Sequence, residues 1–572
     1  MRNVKLAWLM SAGFLAAAIV WAGCRTEEGT TGPVIQTGQQ VPDAPDRTVN
    51  LEQGWSEAQQ QMFWFTSQGS QVVPYDWFLA LEQEKSEELI RSNANLDGLR
   101  FMVEKPSPAN PDGLPVGFAK DMDPETGAWM GFTCAACHTN QIDTPKASLR
   151  IDGAPTLADT FTFFNQVAYG LQATANDDKK FDRFARKVLG QGYSAASAGA
   201  LRQDLQALAQ KRVERQLHDM PDSPQSVPYG HGRLDAFGGI FNQVLGADLN
   251  IPANYQPSNA PVSYPFLWDT AQYDVVQWNG IAPNFGIGAL ARNVGEILGV
   301  FGTVEVVPLR GLKEVRGYKS SARIISLGDL ETVVNVLQSP QWPTEYLPPL
   351  DSAKVGRGKV LYEQQCASCH AVIDRTDRKA ELVAVMTPVA DLGTDPTMAD
   401  NAASRMAQTG PLQGEVDWIA LQSDKTLKTF GAEAPGADVL DNVVINTILG
   451  QKGAAVEASI KEYVRVKIAP KFDPRSYKAR SLNGIWATAP YLHNGSVPSL
   501  WELLKPSAQR VKKFQVGSRT FDPVNVGFDN TGAFTLDTAL PGNSNSGHEG
   551  SGFGTDLTDE EKWALIEYMK SL

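Results

Sequence analysis

Four cysteines and two histidines of this chain fall into one short pattern, used twice. Cys134, Cys137 and His138 read Cys-Ala-Ala-Cys-His, and Cys366, Cys369 and His370 read Cys-Ala-Ser-Cys-His. Thiols three residues apart lie on one face of a helical turn. Both can then add to the vinyl groups of a porphyrin while the adjacent imidazole turns under the iron, which is the attachment chemistry of a c-type haem. A disulfide would not need the histidine, and zinc takes four clustered Cys/His ligands. The spacing predicts two covalently bound haem c groups, which consume four of the five cysteines.

Axial ligation decides what each iron does. An iron with two strong protein ligands mainly carries electrons, whereas one with an open position can take dioxygen or peroxide. Six histidines are present, so with His138 and His370 proximal, His218, His231, His493 and His548 remain as sixth ligands. None stands out for the first haem. Met102, Met122 and Met130 precede its motif as alternatives, and an open iron in an aromatic pocket is the expected reaction centre.

The elements that must position these groups read as follows. Arg2 and Lys5 followed by the uncharged run Leu6–Trp21 form a secretory segment, too short to span a membrane. Ala22-Gly23-Cys24 resembles a bacterial lipobox, which makes Cys24, the one cysteine outside the haem motifs, the expected lipidation site. An ordinary signal peptide is the alternative. Residues 1–24 are thus a lipoprotein signal peptide and 25–50, rich in Thr, Gly, Pro and Gln, a flexible linker. Export to a bacterial membrane, facing the periplasm or cell exterior, agrees with haem c, which is attached outside the cytoplasm. The formal charge of −13 without a long basic run argues against nucleic acid as a partner.

Residues 51–345 form an expected N-terminal haem domain and 346–572 a C-terminal cytochrome c domain. The predicted fold class is mainly α: two cytochrome c-like haem domains with long loop-rich insertions. Helices are expected from Asp76 to about Arg91, over Thr156–Leu171 and over Ala198–Leu217. Gly98–Gly131 reads as Pro/Gly-punctuated loop, no alternating strands stand out, and the aromatic stretch Gly230–Phe301 is expected to wall a pocket. Asp351–Cys366 reads as a first helix running into its haem motif. Thr558 and Glu561 form a capping box opening a last helix, whose apolar face carries Leu565, Tyr568, Met569 and Leu572. Gly356 and Gly358 would let these two helices approach closely.

The paired motifs and Ala489-Pro-Tyr-Leu-His-Asn-Gly-Ser-Val-Pro-Ser-Leu500 resemble the bacterial dihaem cytochrome c peroxidase superfamily. Leu114–Phe118, Arg150–Pro155, Gly232–Ala236, Pro265–Thr270, Gly547-His548 and Gly554–Leu557 are closer to the rubber oxygenases and their relatives. The resemblance covers about Leu51 to the C-terminus. It implies a six-coordinate C-terminal haem whose distal ligand lies beyond the Tyr-Leu-His-Asn-Gly motif, where His548 fits and His493 competes. Glu549 would orient the His548 ring. It also implies a tryptophan between the haems, with Trp268 the better match and Trp278 the second.

The implied activity is a dihaem oxidoreductase, reacting peroxide or dioxygen at the His138 haem, with the His370 haem as electron-transfer centre. Partners would be a small electron-donor or acceptor protein and, in one reading, an apolar organic substrate. A non-enzymatic periplasmic electron-transfer cytochrome is the rival. Calcium is compatible with the sequence, though no motif demands it.

Overall fold

The computed structural model describes residues 47–220, 226–284, 288–308, 317–418, 427–451 and 473–572. The signal segment, Cys24 and nearly all of the linker lie outside them. No described helix is long and apolar enough to cross a membrane.

The expectation of a mainly α fold is corrected. Among the described residues there are two three-stranded and seven two-stranded sheets beside the helices, a mixed α/β architecture. The stretch read as loop before the first haem motif contains β3 (Phe118–Asp123) and β4 (Gly127–Phe132), an antiparallel hairpin registered from Phe118 on Phe132 to Asp123 on Gly127. Its turn is built by Asp123, whose carboxylate accepts the backbone N–H groups of Glu125 at 3.0 Å and Thr126 at 2.8 Å. Gly and Pro there punctuate a hairpin rather than a loop. Most other strands are two or three residues long, too short to show a period-two pattern.

Two of the sheets flank the first motif. β4 pairs with β2 (Val73–Pro74) as well as β3, while β5 (Thr139–Asp143), β6 (Ser148–Asp152) and β1 (Thr48–Asn50) form the other. Cys134–Ala136 is a single 3₁₀ turn between β4 and β5, capped by the Thr133 hydroxyl. The first haem motif therefore sits on a strand–turn–strand corner, not on a cytochrome c helix.

The long helices follow their periodicity closely. Thr160–Asn176 is capped by Asp159, and Ala195–Asp219 opens on a Ser194 capping box. They pack Phe163, Val167 and Leu171 with Leu201 and Leu205 into the N-terminal core. The helix expected to reach Arg91 stops early. It spans Tyr75–Ala80 with Pro74, not Asp76, at the cap. The chain then folds back so that Glu82 bridges Leu89, its carboxylate gripped by Arg183 at 2.8 and 2.7 Å.

A second core draws Ile142, Leu149 and Ile151 of β5 and β6 together with Tyr362, Trp486 and Leu565, so elements from both sides of residue 346 pack in common. Within it the helix Ser352–Gln365, capped by Asp351, crosses the helix Asp559–Lys570, opened by the Thr558–Glu561 capping box. Tyr362 and Tyr568 meet edge to face at 5.2 Å. Of the two glycines, only Gly358 is at the crossing. A Cβ there would stand 2.0 Å from the Ala564 carbonyl oxygen, whereas one at Gly356 meets nothing within 4 Å.

Gly358→Ala should force the helices apart and destabilise the fold by about 1–3 kcal/mol. Gly356→Ala, on the exposed side, should stabilise by about 0.5–1 kcal/mol through helix propensity. Thermal unfolding of the two variants reads the opposite signs directly.

Candidate haem sites

Both motifs close the same backbone turn. The His138 N–H donates to the Cys134 carbonyl at 2.9 Å, and the His370 N–H donates to the Cys366 carbonyl at 2.8 Å. All four cysteines are free thiols, half-buried, so neither pair forms a disulfide. Among the described residues no three His, Cys, Asp or Glu side chains gather as a metal-binding group. Burial raises the Cys134, Cys137 and Cys366 thiols to about 12 and lowers His138 to about 4. The imidazoles are neutral, the form a metal requires.

The second motif opens onto a cavity of about 210 Å³ whose walls include Cys366, Cys369, His370, Leu482, Leu500, Leu565 and Met569. The His370 Nδ1 donates to the Arg480 carbonyl at 2.7 Å, which leaves Nε2 for a metal. Across the cavity stands His548. The two imidazole centroids are 6.3 Å apart, their planes inclined by 52°. With a metal–nitrogen bond of about 2 Å and about 1 Å more to each ring centre, imidazoles on opposite faces of one iron have centroids roughly 6 Å apart. The residues present fit a six-coordinate haem.

His548 is held there from the backbone. Its N–H donates to the Leu392 carbonyl at 2.8 Å, and it takes a positive φ of 49°. Gly547 before it is left-handed too, and a Cβ there would lie 2.2 Å from the Gly393 carbonyl carbon. Arg510 donates to the carbonyls of Asn545, Gly547 and His548 at 2.7, 2.8 and 3.1 Å, and also to those of Leu503 and Lys505. Burial first, then repulsion from the neighbouring His370 and Arg510 groups, holds the His548 ring down to about 3. Glu549 does not orient that ring: its carboxylate accepts the Ser507 hydroxyl and N–H, and His548 Nδ1 is buried without a partner.

His493 lines the same cavity, stacked on Tyr477 at 4.2 Å and lowered to about 4 by burial. His218 stacks on Tyr255 at 3.6 Å, and His231 is buried with Nδ1 3.1 Å from the Leu157 carbonyl.

Around the first motif the surroundings differ. His138 has the Tyr264 phenol in ring contact at 6.1 Å, and among the described residues no second imidazole is in ring contact with it. Gln68 donates to the Cys134 thiol at 2.9 Å. Tyr264, hydrogen-bonded to Thr160 at 2.7 Å, stands beside Cys137. A buried Arg292–Glu331 ion pair, with Asn293 donating to Glu331 at 2.9 Å, lies close enough to Cys134 to act on its charge. Glu296 joins them, pushed up by burial and accepting from Gln277 at 3.0 Å. Sequence reading missed this group, because scattered single charges carry no spacing signal. Met122 is exposed, while Met102 and Met130 are buried in apolar clusters.

Trp268 packs beside Gly153 and Gly484. It is fully buried, stacks on Phe266 at 4.8 Å and donates to the Asn483 carbonyl at 2.7 Å. One edge faces Gly153, whose N–H holds the His138 carbonyl at 2.8 Å, and the other faces Gly484. Trp278 is half-buried, donates to the Ser263 carbonyl at 2.8 Å and lines the cavity beside Tyr264 and Phe266.

Residues 476–515, which supply much of that cavity wall, match the RoxA-like, cytochrome c-like family. The chain thus carries a cytochrome c-type domain, and with it the haem c chemistry of an oxidoreductase. Over 93% of its length it is 32% identical to the uncharacterized protein y4iJ of Sinorhizobium fredii (strain NBRC 101917 / NGR234), covering 95% of that protein. A second uncharacterized protein of the same strain, y4iM, is 23% identical over 61% of this chain and 73% of its own. The chain belongs to the family of y4iJ.

Replacing Cys134 and Cys137 together by Ala should halve the haem absorbance per protein while denatured protein still stains for haem. Full absorbance in that variant would exclude the first attachment site.

Proposed function

We propose that this protein is a dihaem c-type cytochrome oxidoreductase. A haem at Cys134, Cys137 and His138 would react with peroxide or dioxygen, and one at Cys366, Cys369, His370 and His548 would store and deliver electrons. The asymmetry of the two imidazoles carries the reading: His370 has a second imidazole 6.3 Å away across a cavity, and among the described residues none is in ring contact with His138.

The bound groups supply the redox chemistry. The chain fixes the ligands, excludes water and aligns the path between them. Arg480 sets the His370 tautomer through its carbonyl. The wall of Phe132, Phe163 and Phe164 behind the first motif keeps that region apolar. Trp268, packed beside Gly153 and Gly484, would be the bridging aromatic. Glu296 and the Arg292–Glu331 pair are the charged groups nearest Cys134, placed to hold or pass a proton. Electrons would come from or go to a small redox protein. The apolar surroundings suit an organic substrate as well as peroxide.

His548→Ala should convert one of two haems from low to high spin, read by optical and paramagnetic-resonance spectra, while His218→Ala and His231→Ala leave the spectrum unchanged. The wild-type protein should bind carbon monoxide after reduction at the other haem. Two low-spin haems that bind neither carbon monoxide nor cyanide would instead make it an electron carrier.

The same reading makes it an exported lipoprotein anchored through Cys24. Cys24→Ala should move the protein from the membrane fraction to the soluble one, and a soluble wild-type protein would refute the anchor.

A further inference from the structure

Among the described residues, neither of the basic side chains Lys478 and Arg480 forms an ion pair with a carboxylate. Both line the cavity that holds Cys366, Cys369 and His370, and they are buried to 5% and 6% exposure. Lys478 donates from Nζ to the Val275 carbonyl at 3.0 Å and stands 4.3 Å above the Tyr273 ring. The Arg480 guanidinium stacks 3.9 Å over Phe266 and donates from Nη2 to the Phe266 carbonyl. Its Nε is buried and meets no acceptor. The acids whose charge reaches them are engaged elsewhere. Asp269 is paired with Arg378 at 3.0 Å and accepts from Ser481, and Asp274 accepts the N–H groups of Val275 and Ala384.

An uncompensated buried charge is destabilising by several kcal/mol, and two of like sign repel as well. Such a pair persists in an apolar cavity when the ligand of that cavity brings negative charge. A porphyrin joined through its vinyl groups carries its carboxylates on the opposite edge, away from the two thioethers.

We propose that Lys478 and Arg480 bind the carboxylates of the haem attached at Cys366 and Cys369. This rests on the dihaem reading above. It gives Arg480 two tasks at one site: its carbonyl orients His370, and its guanidinium neutralises the far edge of the same group. Adding an electron to the haem is favoured by nearby positive charge, so loss of either cation lowers the midpoint potential.

The test uses the full-length holoprotein as wild type, Lys478→Met, Arg480→Gln and the charge-retaining Lys478→Arg. Haem is counted by the alkaline pyridine assay, and midpoints are followed by potentiometric titration with optical and paramagnetic-resonance readout. Both neutral variants should keep two haems and show a lower midpoint for the low-spin haem, with Lys478→Arg close to wild type. Unchanged midpoints in loaded Lys478→Met and Arg480→Gln would overturn the assignment, as would a shift confined to the other haem. A wild-type protein with no haem would instead overturn the function reading, and the haem count alone distinguishes that failure. If one neutral variant does not fold, the other carries the same two outcomes.

Discussion

One hydrogen bond organises the better-defined half of this molecule: His370 Nδ1 to the Arg480 carbonyl, 2.7 Å. A carbonyl can only accept, so the bond fixes which ring nitrogen carries the proton and presents Nε2 to the cavity. It also ties two distant pieces of chain. His370 follows the helix Ser352–Gln365, and Arg480 follows the short strand Ser476–Lys478. The Tyr362 hydroxyl adds a second tie by donating to the His370 carbonyl at 2.7 Å. Helix crossing, cavity wall and imidazole orientation therefore stand or fall together.

The two haem motifs share a backbone turn but not a scaffold. The second is the continuation of a helix, with Cys366 N–H still donating to the Tyr362 carbonyl at 2.8 Å. The first bends a chain from one small sheet into another. Identical local spacing is compatible with both, because the five residues from the first Cys to His close the same turn whatever precedes them. The consequence is a division of surroundings: leucines and a facing histidine at one site, and phenylalanines with a buried cluster of Arg292, Glu296 and Glu331 at the other.

What the sequence conveyed follows from how local each signal is. The thiol spacing, the helices opening at Thr160 and Ala195, and the Thr558 capping box are each contained within a few turns, and the structure has them close to where their patterns lie. The mixed fold class was illegible because most strands are two or three residues long and find partners far along the chain, as Met386–Pro388 does with Ser476–Lys478. Gly356 and Gly358 look alike in sequence, and only the crossing distinguishes them. Lys478, Arg480 and Arg510 read as ordinary charges. Their meaning comes from a cavity or a set of carbonyls assembled by remote segments, which no spacing rule contains.

The guanidinium of Arg510 gathers five carbonyls from two separate stretches, 503–505 and 545–548. The main chain around His548 is therefore tied down by the protein's own hydrogen bonds. Release of that imidazole from an iron would be a turn about its own side-chain bonds, with the loop standing still. An incoming ligand at that face would compete with an imidazole that never leaves the neighbourhood. If a haem is held there, that ring would be returned to it by rotation of its own side-chain bonds rather than by movement of the loop.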